Sequence, residues 1–320
     1  MSDPRIIDAY GHVSLPRFLS AEQYIAVLDA NGVERAIIAT ADTCPDLREI
    51  SRAVVKYPDR LRAVGMPVGA TPADKESAIA EQMAAGFLGI RLPAALVASQ
   101  PSLLDIIGKA GGIPFVVGPS GLQIVARQLT EFLDRYPTAY VCAPHFAGAV
   151  DPAILDSDAR VRALFAHPRF VVIFSRQGVY APDLVATWAR AVVERVGWRR
   201  VLFGSEYPVA LWRDETYSDT LKWIETAGLS PSAEERDAFV FGNAEQYLFR
   251  SKLQTPRLVD ERWCGMQGKQ LAPGWLFPQG SLDIPEDVHR RLISTYLEQG
   301  GDAVFGSYRA FIVQLLAKSV

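Results

Sequence analysis

Eight short runs of apolar, largely β-branched residues recur along the first two thirds of the chain, separated by longer stretches with helical periodicity. Strands that are apolar on both faces are typical of a parallel sheet covered by helices. Eight strand–helix units over roughly 250 residues are what a (β/α)8 barrel requires. We therefore predict an α/β fold, a (β/α)8 TIM barrel. The predicted strands are 5–10, 35–40, 62–68, 89–93, 114–118, 139–145, 170–175 and 200–205.

Helices are predicted between these strands, and several begin with a capping residue and end near Gly or Asn. A doubly wound open sheet is the alternative topology. It is disfavoured because no G-x-G-x-x-G motif follows the first strand. The predicted helices include 21–31, 45–57, 71–85, 122–136, 153–166, 181–196 and 216–228.

The character of the chain changes after residue 250, and we predict a barrel domain over 1–250 with a C-terminal extension over 251–320. The extension begins with a segment rich in Gly, Pro and Trp. Two amphipathic helices, broken at Gly300 and Gly301, are predicted to follow. We expect the extension to pack on the barrel helices or at a subunit interface, with a lid over the barrel mouth as the alternative. Its apolar stretch AFIVQLL suggests a homodimer.

Composition limits the classes of partner. The net charge is −3, the isoelectric point is about 5.9, and no run of like charges occurs, which argues against nucleic acid or an anionic membrane surface. No stretch reaches the apolar length of a membrane span, and the charged N-terminus does not resemble a signal peptide. Cys44, Cys142 and Cys264 are too far apart in sequence to suggest a disulfide framework or a zinc knuckle. We expect a cytoplasmic protein.

Polar side chains at the ends of three predicted strands are the candidates for chemistry. Tyr10 and His12 share one face of strand one, His145 ends strand six, and Glu206 follows strand eight. Strands one and eight are neighbours when a barrel closes, so Glu206 should lie beside His12. The carboxyl ends of barrel strands converge on one mouth, where active sites form. We expect these four side chains to share one cavity.

Five segments resemble landmarks of the amidohydrolase superfamily, and they lie closest to its amidohydrolase-2 branch of decarboxylases and lactonases. The resemblance covers about residues 5 to 250, and the segments occur in the family's order and spacing. Family members typically carry D-x-H-x-H at strand one, H-x-G at strand six and G-[ST]-D-x-P at strand eight. The segments are IIDAYGHV, GFLGIRLP, APHFAG, RVLFGSEYP and FGNAEQYLF.

The chain departs from this family pattern at the positions that decide metal binding. Tyr10 replaces the first histidine of the strand-one pair, and Glu206 replaces the strand-eight aspartate. Strand five offers neither the histidine nor the modified lysine of many metal-binding members. A metal ion would have at most His12, His145 and Glu206 as ligands, and a phenol must lose its proton to bind well. The expected cofactor is therefore none, with zinc or manganese as the alternative.

Lactonase-like members of the same branch, related to 2-pyrone-4,6-dicarboxylate lactonase, work without metal. By that resemblance Glu206 is the general base that activates water. His12 and His145 would polarise a carbonyl or stabilise the oxyanion. The glutamate is one methylene longer than aspartate, a shift of about 1 Å that matters for positioning. Either the substrate sits differently, or Tyr10 serves as a hydrogen-bond donor in the vacated space and the two replacements compensate.

Four further residues are candidates for substrate binding. Arg91 and Arg176 could grip a substrate carboxylate, although each could instead be a structural or solvated arginine. Ser175 could donate a hydrogen bond but lacks the G-x-S-x-G turn of a nucleophile. Trp212 could line the pocket or pack under the last loop. Residues for which a structural or surface role is expected are His167, His289 and Cys142.

Three functions remain open on the sequence. The first is a hydrolase that cleaves an ester or lactone C–O bond of a small carboxylated cyclic compound without metal. The second is a metal-dependent non-oxidative decarboxylase of an aromatic or muconate-type acid. The third is a catalytically degenerate barrel that binds a ligand or partner. Retention of two histidines and an acid favours an enzyme.

Overall fold

Eight parallel strands form a single sheet in which each strand pairs with the next along the chain. The computed structural model describes residues 5–13, 18–41, 47–210, 215–250, 254–264, 286–306 and 308–318. The predicted (β/α)8 barrel is confirmed, and every predicted strand is present. The strands are β1 Ile6–His12, β2 Val33–Ala39, β3 Leu61–Gly65, β4 Gly89–Pro93, β5 Ile113–Val117, β6 Val141–Ala143, β7 Phe170–Phe174 and β8 Val201–Phe203.

Helices surround the sheet and cover its outer face. Four of them begin with a reciprocal cap between an N-terminal Ser or Thr and the third helical residue, as the sequence suggests for Ser20. The barrel helices are α1 Ala21–Ala30, α2 Leu47–Lys56, α3 Pro72–Ala84, α4 Ala94–Ser99, α5 Ser102–Lys109, α6 Ala126–Arg135, α7 Ile154–Ser157, α8 Ala159–Ala166, α9 Pro182–Val196, α10 Tyr217–Thr226 and α11 Ala233–Asp237.

Two features of the helical layer differ from the sequence prediction. The helix predicted over 153–166 is two helices, because Asp158 adopts an extended conformation and caps α8 by accepting a hydrogen bond from Arg160 N–H. Helices α4 and α5, between β4 and β5, were not among the predicted elements. Each is preceded directly by a proline, Pro93 or Pro101, whose fixed φ is compatible with a helix start.

The barrel is closed between β1 and the segment after β8 by a buried carboxylate. Asp8 is fully buried, and its Oδ1 accepts hydrogen bonds from the backbone N–H groups of Tyr10 (3.0 Å) and Ser205 (2.9 Å). Its Oδ2 accepts from the hydroxyls of Ser205, Tyr24 and Tyr217. Burial raises the pKa of Asp8, and the hydrogen bonds from Ser205, Tyr10 and Tyr217 oppose that shift. One side chain thus joins β1, α1, α10 and the strand-eight end.

Two backbone hydrogen bonds complete this seam. Glu206 N–H donates to the Tyr10 carbonyl at 2.7 Å, and His12 N–H donates to the Tyr207 carbonyl at 2.9 Å. Gly11 is required between Tyr10 and His12, because a Cβ there would lie 1.8 Å from the Tyr24 hydroxyl oxygen. The seam therefore fixes the residues that carry the candidate chemistry relative to one another.

The described residues of the C-terminal extension pack along the outside of the barrel. The backbone N–H of Arg257 donates to the Ala85 carbonyl, and the Arg257 side chain forms an ion pair with Glu81 on α3. Glu261 forms an ion pair with Arg48 on α2. Further on, Ser294 accepts a hydrogen bond from Gln23 on α1. For the described residues of the extension, these contacts favour the packing role over the lid. The division of the chain at residue 250 stays a prediction.

The break at Gly300 and Gly301 is confirmed, with both residues at positive φ. The described residues of the extension contain three α-helices where two are predicted: α12 Glu286–Glu298, α13 Asp302–Phe305 and α14 Tyr308–Lys318.

Part of the apolar stretch that suggested a homodimer is used within the extension. Phe311 and Ile312 are buried, and the Phe311 ring lies 5.5 Å from that of Tyr296 on α12. Val313 remains 54% exposed. The homodimer stays a prediction. Among the described residues, no helix is both long and apolar enough to cross a membrane.

Replacing Asp8 by Ala is expected to lower the free energy of unfolding by about 3–5 kcal/mol, because five buried or partly buried donors lose their acceptor. The matched control is Asp105→Ala on α5, which removes an exposed aspartate that also accepts from a tyrosine hydroxyl. The control should cost at most about 1 kcal/mol. Urea unfolding followed by circular dichroism measures both; equal losses would contradict the role assigned to Asp8.

Candidate active site

A cavity of about 680 Å³ opens at the carboxyl ends of the strands. Its charged and imidazole side chains come from the ends of β1, β4, β6, β7 and β8, and its remaining lining is mostly apolar. The lining residues are His12, Phe18, Ala41, Arg91, Pro93, Val117, Pro119, His145, Arg176, Val179, Tyr180, Glu206 and Val209. Of the eight predicted site residues, five therefore line one cavity.

A larger but shallower depression of about 800 Å³ lies at the opposite end of the barrel. There the cationic side chains Arg5, Arg35 and Arg60 each form an ion pair with a carboxylate. Active sites in barrels of this class form at the carboxyl ends of the strands. We therefore assign the candidate site to the cavity that contains Glu206.

Glu206 is held in an unusual backbone conformation beneath the cavity. Its φ is 55°, in the left-handed region, and the residue is 2% exposed. Its Oε1 lies 3.7 Å from Nε2 of His145 and 3.7 Å from Nε of Arg176. His145 and Arg176 also have positive φ, at 58° and 66°. Strained non-glycine backbone clusters at functional sites, so the three residues form the centre of the site.

Ser175 is the hydrogen-bond partner of the His145 ring at Nδ1. The Ser175 Oγ accepts a hydrogen bond from the His145 backbone N–H and lies 3.1 Å from the ring Nδ1. One lone pair of Oγ accepts this backbone N–H, and we assign the serine hydroxyl proton to a hydrogen bond with Nδ1. This assignment, made from the hydrogen-bond partners, leaves the proton on Nε2, which faces Glu206. Ser175 is fully buried and supports His145 from behind the cavity wall.

His12 is assigned the opposite tautomer by the same kind of argument. Its Nδ1 lies 2.9 Å from the Ala39 carbonyl oxygen, which can only accept a hydrogen bond. The proton therefore sits on Nδ1, and Nε2 of the neutral ring is an acceptor. The ring stacks on Phe18 with 4.8 Å between centroids. The two imidazoles thus offer a donor and an acceptor, a difference that the sequence does not reveal.

Tyr10 packs behind the cavity and does not line it. The residue is fully buried, and its ring contacts His12 and His145 edge-on, with centroid distances of 5.3 and 5.1 Å. Its hydroxyl accepts a hydrogen bond from Nε of Arg91 at 3.0 Å. Burial raises the pKa of Tyr10, with Arg91 opposing and Glu206 reinforcing the shift, so the phenol keeps its proton. Tyr10 therefore acts on the cavity through Arg91 and through its ring contacts with the two histidines.

The residues present do not fit a divalent metal ion. In the part of the chain that the structure describes, no group of three or more His, Cys, Asp or Glu side chains is arranged to hold one. His12 and His145 are packed against the Tyr10 ring, and the guanidinium of Arg91 donates a hydrogen bond to the hydroxyl of the same tyrosine. A fixed positive charge at this place opposes a second cation.

The remaining predicted residues lie away from this centre or outside the described part of the chain. Trp212 lies outside the described residues. His167 caps the end of α8, accepting a hydrogen bond from Arg169 N–H at its Nδ1, as expected for a structural histidine. Cys142 is fully buried, as expected, and burial raises the pKa of its thiol.

Sequence reasoning missed Asp8 as a partner of the site, and it missed Phe18 and Tyr180. Tyr180 lines the cavity and donates its hydroxyl to the His145 carbonyl at 3.1 Å. Two signals pointed to Asp8: it is an acidic residue in an otherwise apolar strand, and it stands at the aspartate of the family pattern D-x-H-x-H. Phe18 and Tyr180 follow no motif, because loop packing brings them to the mouth.

Comparison with known proteins identifies the family and the fold. A family model described as amidohydrolase matches residues 3–250. A structure assigned as a 2-pyrone-4,6-dicarboxylic acid hydrolase from Acinetobacter baumannii, with citric acid bound, is similar over 76% of this chain and 99% of its own, at 16% identity and a TM-score of 0.60. No curated protein matches the chain in sequence.

Two further structures share the fold. An amidohydrolase from Burkholderia multivorans with bound zinc has a TM-score of 0.57 and 16% identity, covering 76% of this chain and 99% of its own. A 2,6-dihydroxybenzoate decarboxylase from Rhizobium has a TM-score of 0.58 and 13% identity, covering 78% of this chain and 99% of its own. At these identities the similarity establishes the fold alone.

The hydrogen-bond pattern predicts opposite tautomers for the two cavity histidines. Long-range ¹H–¹⁵N correlation spectra of the neutral rings should show His12 protonated at Nδ1 and His145 at Nε2. In Ser175→Ala, the His145 signals should shift towards a mixture of tautomers, because Nδ1 loses its donor, while the His12 signals stay unchanged. A wild-type His145 ring protonated at Nδ1 would contradict the assignment.

Proposed function

The chain belongs to the amidohydrolase family, and we propose that it is a hydrolase that opens an ester or lactone C–O bond of a small carboxylated cyclic compound without a metal ion. The observation that carries the proposal is the position of the Glu206 carboxylate. It is buried beneath the cavity, and its Oε1 lies 3.7 Å from both His145 Nε2 and Arg176 Nε. A carboxylate so placed suits the role of general base towards a water molecule.

The proposed reaction adds one water molecule to the substrate. Glu206 takes a proton from the water while the water oxygen forms a bond to the carbonyl carbon of the substrate. The carbonyl π electrons move to the carbonyl oxygen. The tetrahedral intermediate then collapses, the ring C–O bond breaks, and the leaving oxygen receives the proton held by Glu206. The products are a carboxylic acid and a hydroxyl group on the same molecule.

The neighbouring side chains suit the charges that develop during this reaction. The His145 Nε2–H is a donor available for the oxyanion, and such donors are usually the largest catalytic contribution. Neutral His12 offers an acceptor and can orient the water or a substrate hydroxyl. Arg91 and Arg176 line the cavity and can hold a substrate carboxylate in a forked geometry.

The rest of the cavity suits the ring of a cyclic compound. Apolar side chains from several loops form the walls above the polar floor, which is the common arrangement in small-molecule sites. A ring that packs against these walls would place its carboxylate and carbonyl groups on the floor. The apolar wall residues are Phe18, Ala41, Pro93, Val117, Pro119, Val179 and Val209.

The proposal predicts hydrolysis that depends on Glu206 and survives chelation. Lactones that carry one or two carboxylates, 2-pyrone-4,6-dicarboxylate among them, are tested by titrating the acid released. Glu206→Gln should lower kcat/KM by about 100- to 10,000-fold, because an amide cannot accept the proton. EDTA treatment should leave the wild-type rate unchanged. The matched control is Glu131→Gln, an exposed glutamate on α6.

Two results would overturn the proposal. The first is release of CO₂ from aromatic or muconate-type acids, lost on chelation, which would support the decarboxylase. The second is full hydrolytic activity in Glu206→Gln. Binding of carboxylated compounds without turnover of any of them would support the binding-only barrel.

A further inference from the structure

The contact between Tyr10 and Arg91 has a consequence for what the site can bind. Arg91 extends from β4 to β1, where its Nε donates to the Tyr10 hydroxyl, and it is 9% exposed at the cavity wall. An arginine side chain has many rotamers, and a buried anchor for its Nε restricts them. The remaining donors of the guanidinium lie on a head group whose place is fixed.

The same tyrosine keeps the two histidines from acting as a ligand pair. A zinc ion requires imidazole nitrogens at about 2.0–2.1 Å in tetrahedral geometry. The Tyr10 ring packs edge-on against both imidazoles, at interplanar angles of 84° and 89°. Tyr10 thus contributes bulk and an anchored cation at the place where the two rings meet.

We propose that Tyr10 sets this site for a guanidinium instead of a divalent metal ion, and that Arg91, anchored on the Tyr10 hydroxyl, supplies the positive charge that binds an anionic oxygen of the ligand. Tyr10 acts as a positioning residue, since it does not line the cavity. The proposal rests on the proposed function only in the class of ligand, a carboxylate. The exclusion of metal is independent of which reaction occurs.

A guanidinium in place of a divalent metal ion changes how the attacking water must be activated. A metal ion lowers the pKa of a bound water, so the site itself generates hydroxide. A guanidinium offers hydrogen bonds and charge but takes no water as a ligand. A site built on Arg91 therefore needs a separate base, and Glu206 lies in the same cavity. Charge on Arg91 is permanent, so the anion site persists across the working pH range.

The first experiment measures metal content without any substrate. Wild type, His145→Ala, Tyr10→Phe, Tyr10→His and Tyr10→His/His145→Ala are incubated with zinc or manganese, desalted and analysed for bound metal. We expect no site-bound metal in wild type or Tyr10→Phe. Tyr10→His should retain about one zinc ion per chain, since two histidines on β1 then join His145 and Glu206. The added His145→Ala change should remove it.

Two outcomes would overturn the metal exclusion. One is a wild-type protein that retains a metal ion which His145→Ala releases. The other is a folded Tyr10→His variant, checked by circular dichroism, that binds no more metal than wild type. If Tyr10→His does not fold, the comparison of wild type with His145→Ala still decides, because it requires no new ligand.

The second experiment tests the anion site with citrate as the probe, by calorimetry on metal-free protein. Arg91→Met should weaken citrate binding by about 10-fold or more, the loss of a charge-assisted pair. Tyr10→Phe should weaken it less, because the guanidinium keeps its charge but loses its anchor. The matched control is Arg127→Met, an exposed arginine on α6. Unchanged affinity in Arg91→Met, or no citrate binding by wild type, would overturn the assignment.

These outcomes are distinguishable from failure of the proposed function. A metal-free wild type that binds citrate through Arg91 but hydrolyses no lactone would overturn the hydrolase alone. A wild type that retains zinc at His145 yet hydrolyses lactones after chelation would overturn the metal exclusion alone.

Discussion

The Asp8 carboxylate holds together the part of the barrel on which the candidate chemistry depends. It accepts two backbone N–H groups and three hydroxyls from four segments of the chain, in a fully buried position. A buried charge is tolerated only when its hydrogen-bonding capacity is filled. This requirement fixes the end of β1 against the turn that follows β8, and with it the relative positions of His12 and Glu206.

Next to this seam, hydrogen bonds from residues outside the cavity hold three of the side chains that line it. Ser175 orients His145, Ala39 orients His12, and Tyr10 anchors Arg91. None of the three supports lines the cavity, so the groups that face a ligand are held from behind. Three cavity residues also occupy left-handed backbone conformations, a cost that the surrounding hydrogen bonds and packing must offset. The cavity is therefore rigid at its floor and apolar at its walls, as suits a small, charged, cyclic ligand.

Much of the architecture could be predicted because strand–helix alternation is a local property of the sequence. Each of the eight predicted strands is present, and the strand-end residues Glu206, His12 and His145 meet at one cavity, since a closed barrel leaves their positions little freedom. Helix starts and ends were harder to predict, because the same residue can either break a helix or begin one. Helices α4 and α5 follow prolines, which in sequence indicate breaks as readily as helix starts. The end of α7 at Asp158 depends on one side-chain cap.

The sequence by itself determined the fold class, the family and the identity of the residues at the strand ends, because periodicity and motif spacing survive without coordinates. Only the tertiary structure decided what those residues do to one another. It placed Tyr10 behind the cavity, joined it to an arginine 81 positions away and gave the two histidines different hydrogen-bond partners at Nδ1. Such pairings depend on side-chain directions across the barrel, and no pattern along a single strand contains that information.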